Sequence, residues 1–152
     1  MSAVIIIIIL VIATASSGAI FKPGDWYRGL HRPSWTPPNW VFPLVWSILY
    51  IAIGVSGWLV WQAGGPGLAM ALWLLQLVLN AAWSWLFFGR RRMDLAFVDV
   101  CALFATIIAY IVAAGVISPA AALLFMPYAA WVATAAILNR SVWRLNPDAV
   151  PD

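Results

Sequence analysis

Charge is what this sequence lacks most: of its 152 residues only 9% are Asp, Glu, Lys or Arg, against roughly 25% in an ordinary soluble domain. Hydrophobic residues make up 65% and the mean hydropathy is +0.97. A soluble domain of this length buries only about 70% of its surface and has nowhere to hide so much apolar side chain. A water-soluble enzyme, a disordered chain and a nucleic-acid module are therefore excluded, although the net charge is +3. Cysteine is nearly absent too, and a lone Cys101 permits no intramolecular disulfide and packs as a small apolar residue. Glutamate is missing, and one histidine, His31, cannot join a Cys/His cluster for zinc or iron–sulfur, so no metal site is expected. The acids are Asp25, Asp94, Asp99, Asp148 and Asp152, thin material for acid–base catalysis.

What is abundant is long apolar runs. About 20 residues at 1.5 Å each cross roughly 30 Å of hydrocarbon, and five runs qualify, near 2–20, 40–61, 67–88, 94–115 and 119–139. Gly64, Gly65 and Pro66 break the second from the third, Arg90, Arg91 and Arg92 follow the third, and Ser118 and Pro119 open the fifth. The runs lack the in/out alternation of a membrane barrel, so the fold class is an all-α integral membrane protein, a single five-helix bundle. The first run lacks the basic segment that starts a signal peptide and is read as a span.

Alternating the spans puts segments 21–39, 89–93 and 140–152 on one face. Every Lys and Arg (Lys22, Arg28, Arg32, Arg90, Arg91, Arg92, Arg140, Arg144) falls there. The positive-inside rule makes that face cytoplasmic in a bacterial inner membrane, with the N-terminus outside; an outer membrane would weaken the orientation. The basic charge then attracts anionic membrane lipid rather than nucleic acid.

Tryptophan is the other excess, with 11 copies. Trp26, Trp40, Trp58, Trp61 and Trp143 lie near span ends, where indoles sit at headgroup level; Trp73 and Trp85 read as packing or lipid-facing. Trp46 and Tyr50 lie about 8 and 15 Å below the basic face, and Asn80, Trp83 and Trp131 finish at similar depths. Trp46, Tyr50, Ile53 and Gly57 share one helical stripe, Gln76, Asn80, Trp83 and Phe87 a second, and Trp131, Ala135 and Leu138 a third, with Asn139 adjoining. Aromatic stripes with small and amide groups either glue the helices together or wall an apolar pocket for a large planar or sterol-like ligand. The segment 21–39, with Pro23, Pro33, Pro37 and Pro38 among Trp26, Tyr27, His31 and Trp35, is long for a connector and reads as a lid over that pocket.

The order Trp35, Pro37, Pro38, Trp40, Phe42, Pro43, Trp46, Leu49, Tyr50 resembles the tryptophan-rich sensory protein/translocator protein family, once called the peripheral benzodiazepine receptors. Gln76, Leu77, Asn80, Trp83, Phe87, Phe88 and Gly89 are similar to the family's third helix, and Pro127, Tyr128, Trp131, Ala135, Leu138 and Asn139 to its fifth. The resemblance runs from Gly18 to Asn146. It implies a five-helix bundle, often a homodimer, that needs no cofactor and binds porphyrins (haem included), sterols and synthetic isoquinoline or benzodiazepine-site ligands beneath the first loop. Tyr27 and Trp35 match lid positions, Trp46, Tyr50, Asn80 and Trp83 cavity walls, and Trp131, Ala135 and Leu138 the fifth-helix wall. The expected role is a tetrapyrrole receptor or sensor that regulates tetrapyrrole level or a stress response; the alternatives are a porphyrin or sterol transporter and a catalyst of light-dependent porphyrin breakdown, in which the position of Trp35 is implicated. Sterol-responsive members carry a tyrosine soon after the Leu–Asn of the fifth helix, whereas Leu138 and Asn139 are followed here by Arg140, Ser141, Val142, Trp143 and Arg144. That departure favours porphyrin over sterol in what resembles a bacterial homologue.

Two single residues stand out. His31 is either a solvated loop residue or an axial haem ligand. Asp99 lies about 8 to 10 Å inside the fourth span, where a carboxylate is costly, so it is expected to face protein or pair with an arginine, and it is a candidate proton or ligand-access site.

Overall fold

A computed structural model describes residues 2–152, and among them the secondary structure is entirely helical. The helices are α1 (Ala3–Ile20), α2 (Asp25–Arg28), α3 (Val41–Gly64), α4 (Leu68–Ser84), α5 (Met93–Ile117), α6 (Pro119–Leu124) and α7 (Met126–Leu145). Among the described residues, five stretches are long and apolar enough to cross a membrane: α1, α3, α4 with the turn that follows it, α5, and α6 with α7. The apolar runs of the sequence thus become the spans, because a helix satisfies its own backbone in hydrocarbon.

The ends differ from the expected ones for local reasons. The second span continues to Gly64 and stops at Gly65, whose φ of +60° suits glycine. The third widens into a π-helical turn, Trp85–Gly89, in which the Arg90 N–H reaches back five residues to the Trp85 carbonyl at 2.7 Å. The fifth starts at Pro119 behind a Ser118 cap, breaks at Phe125 just ahead of Pro127, and runs on to Leu145, six residues past the end of the apolar run. Arg140 and Arg144 end the run of apolar residues without ending the helix, since their stems lie along it while the charges reach the interface.

The helices close into a bundle in which α1 packs on α3 and α4, α4 on α5, and α5 on α7. At the face away from the 21–39 loop the bundle is tied: α3 packs on α6, and the Ser56 hydroxyl donates to the Ala121 carbonyl at 2.8 Å while also bonding Tyr110 Oη at 2.8 Å. Nearby, Gly57 gives Trp73 its place; this indole is fully buried and donates to the Ile53 carbonyl at 2.9 Å. Toward the loop, α3 stands off from α7 and leaves a groove between them.

Candidate functional site

The loop-side half of the bundle is organised around Tyr128. Its ring is fully buried and its hydroxyl donates to Gln76 Oε1 at 2.9 Å and accepts from Asn80 Nδ2 at 2.7 Å. Asn80 Oδ1 in turn accepts from the Tyr50 hydroxyl at 2.9 Å. A phenol, two amides and a second phenol from α3, α4 and α7 are therefore linked in one chain of hydrogen bonds, which leaves the Gln76 Nε2 amide without a partner. Trp46 stacks on Tyr50 with centroids 5.5 Å apart and meets Tyr128 edge-on at 6.2 Å, while Phe42 meets Trp131 edge-on at 5.6 Å. Beside these rings the α3/α7 groove, about 360 Å³, is lined by Val45, Ile48, Leu49, Ala130, Trp131 and Thr134. It is open on the side of the bundle, between two membrane-spanning helices.

A second aromatic cluster lies under the loop. Tyr27 is buried against Phe87 and Phe88, Trp26 meets Phe87, and Met93, Ala96, Leu138 and Val142 complete the packing. The π turn lets the successive Phe87 and Phe88 both reach Trp83, at 5.1 and 5.7 Å. Trp83 joins the two clusters and donates to Asn139 Oδ1 at 3.0 Å, while Asn139 Nδ2 donates to the Met93 carbonyl at 2.9 Å. Just ahead of α5, Arg92 binds both carboxylate oxygens of Asp94 in the helix's first turn, and this bidentate pair raises the guanidinium pKa above its ordinary value.

The loop is latched rather than loose. Asn146, just past α7, accepts from the His31 N–H at 2.9 Å and donates to the His31 carbonyl at 2.8 Å and the Val142 carbonyl at 2.7 Å. Arg32 lies over the Tyr27 ring, and Arg91, at φ +56°, lies over Trp26.

The sequence that builds this aromatic and amide centre beneath a latched loop also matches a known family. Residues 3–144 match the profile of the TspO/MBR family. The chain belongs to that family. It is 40% identical over 145 residues to Protein CrtK of Rhodobacter capsulatus, covering 90% of this chain and 88% of that one. To the tryptophan-rich sensory protein of Cereibacter sphaeroides it is 39% identical over 134 residues, 88% and 85% of the two chains. To the human translocator protein it is 44% identical over 137 residues, 85% and 81% of the two.

Of the residues singled out in the sequence of this TspO/MBR protein, the structure brings Trp46, Tyr50 and Asn80 together at the Tyr128 hub, with Trp131 at the groove and Ala135 half-buried beside the same core. Trp83 bridges to the second cluster, where Tyr27 and Leu138 pack. Trp35 stands apart, 47% exposed on the loop. His31 is exposed and meets Asn146 through its backbone. Asp99 faces protein, but the ion pairs among the described residues are Arg28–Asp25 and Arg92–Asp94, so no arginine meets it. Cys101 is exposed on α5 rather than packed. Tyr128 belongs to the fifth-helix stripe by its spacing to Trp131 and Ala135, yet sequence reasoning missed it as the hub. The Asn146 latch joins residues 115 apart and left no pattern in the sequence.

Proposed function

We propose that this integral membrane protein is a receptor or sensor that binds a tetrapyrrole between α3, α4 and α7 beneath the loop. The observation that carries the reading is the pairing of flat indole and phenol faces, from Trp46, Trp131, Tyr50 and Tyr128, with a side groove through which a planar ligand enters. The aromatic rings touch one another, so binding parts them rather than filling a ready-made hole. Tyr27 and the Asn146-latched loop act as the lid, Asn80 and Trp83 hold the α4 wall, and Ala135 and Leu138 belong to the α7 wall. The names of the relatives, sensory protein and translocator protein, support a signalling or handling role over catalysis. The break at Phe125 in the fifth span is the one feature that favours a transporter, since broken helices often mark transport sites; flux of porphyrin into vesicles separates that reading from sensing.

The test is a fluorescence titration of purified protein with protoporphyrin IX, haem and cholesterol in parallel. Ala135→Leu overfills the wall at a cost of about 1 to 3 kcal/mol, so porphyrin affinity is expected to fall roughly 5- to 150-fold in a folded variant. Unchanged affinity takes Ala135 off the site. We further propose a bacterial inner-membrane setting with the basic face cytoplasmic, and a homodimer through exposed small residues, with Gly67 and Ala71 at the start of α4 and Ala105 and Ala109 on α5 as the candidates. Ala71→Leu then shifts cross-linking toward monomer.

A further inference from the structure

Among the described residues, three buried side-chain nitrogen or oxygen atoms have no hydrogen-bond partner: Gln76 Nε2, Asp99 Oδ2 and Trp131 Nε1. Buried polar groups are nearly always paired with protein, water or ligand, so each of these atoms is a donor or acceptor that the fold itself leaves free. The three orphans lie at one level of the bundle, and two of them flank Tyr128. Gln76 is fully buried and bonded to Tyr128 through its other amide atom, and Trp131 lies one helical turn beyond Tyr128. The Asn139 bond to the Met93 carbonyl fixes the register of antiparallel α5 and α7. Asp99, six residues further along α5 and only 9% exposed, is about 9 Å deeper, level with α7 residues near 133, between Trp131 and Ala135.

We propose that Gln76, Asp99 and Trp131 form the polar end of the pocket and that the ligand meets it with a carboxylic acid. The chemistry selects that group. Hydrocarbon disfavours an isolated carboxylate, and neither ion pair among the described residues includes Asp99, so a partner that shares a proton with it is favoured over one that leaves a bare charge. A ligand acid laid against it exchanges two O–H···O bonds, each hydroxyl donating to the other's carbonyl, with no net charge created. The ligand's oxygens also accept from the Gln76 and Trp131 N–H groups, which a purely hydrocarbon ligand leaves orphaned. The proposal rests on the reading that a flat ligand lies between α3, α4 and α7, and it names the feature by which that ligand is chosen: an acid side chain on an aromatic body.

The experiment compares protoporphyrin IX with its dimethyl ester, which keeps the macrocycle and removes the acid O–H. The ratio of acid to ester affinity is read in wild type, Asp99→Leu and Asp99→Asn, so that partitioning into detergent cancels between proteins. Wild type is expected to prefer the acid by about tenfold or more, the effect of one buried hydrogen bond left unmade. Asp99→Leu makes the span more apolar, inserts readily and erases the preference; Asp99→Asn, which offers a donor and an acceptor in the same place, keeps it. Equal affinities in wild type, or a preference that survives Asp99→Leu, overturn the proposal while leaving a porphyrin site standing. If neither porphyrin binds, the tetrapyrrole reading falls, and pyrenebutyric acid against its methyl ester decides the present proposal: an Asp99-dependent preference for the acid upholds it, and none overturns it.

Discussion

The two ends of the bundle solve the same problem in opposite ways. Away from the loop, the polar groups are satisfied within the fold: Ser56 meets Tyr110 and Ala121, Trp73 meets Ile53, and Gly57 lets the indole press against α3. Toward the loop, α3 and α7 part, rings touch edge to face, and three polar atoms stay unmet. The difference teaches where stability and binding are kept. A close-packed, fully bonded end holds five helices in register, so the other end can keep unmet donors and a groove without the bundle coming apart.

The comparison breaks most severely at Gly57. A Cβ there runs into Trp73 Cε2 and falls 2.6 Å from Nε1, a rigid, fully buried ring. Gly57→Ala is expected to cost about 2 to 3 kcal/mol or more by overpacking, read as a lower melting temperature in detergent. Gly54, one turn earlier, is the control. Its added Cβ meets only Val11 Cγ2 at 3.8 Å, so Gly54→Ala is expected to be neutral or to stabilise by up to about 1 kcal/mol through helix propensity. Similar losses at both glycines mean that the far end is not the tight one.

A middle-sized effect belongs to the latch. Asn146→Ala strands the His31 N–H and carbonyl, so local opening of the 21–39 loop is expected to become easier by about 1 to 3 kcal/mol, roughly 5- to 150-fold faster amide exchange. The melting temperature of the spans should hardly move, because the latch lies outside their packing. Protection lost equally in α3 and α5 shows the loop to be part of the scaffold instead of a cover.

How much of this was readable in the sequence follows the same division. The five spans were legible because bilayer thickness sets the length of an apolar run, and the stripe of Trp46 and Tyr50 was legible because helical spacing sets a face. Periodicity carries no information about which face meets which, so the spacing of Tyr128 to Trp131 does not reveal that its hydroxyl bonds Gln76 and Asn80 of α4. The π turn at Trp85–Gly89 leaves the hydropathy pattern unchanged, and α7 outruns its apolar stretch because arginine stems lie along a helix as well as leucines do. Asp99 was legible as an oddity from its depth alone, but the absence of any arginine beside it was not.

The smallest effect sharpens the comparison best, because one substitution is made at both ends. Trp73→Phe removes an N–H that is bonded to the Ile53 carbonyl and trims a fully buried ring, which together are expected to cost about 1 to 3 kcal/mol. Trp131→Phe removes an N–H that has no partner, and a benzyl ring still meets Phe42 edge-on, so the stability change is expected to stay within about 0.5 kcal/mol. Paired melting curves read the difference directly. An apoprotein loss at Trp131 as large as that at Trp73 shows that the indole N–H is already satisfied, and the loop end then has one fewer unmet donor to offer a ligand. A silent Trp131→Phe that nonetheless weakens porphyrin binding shows the opposite, that the donor is held in reserve for the bound state.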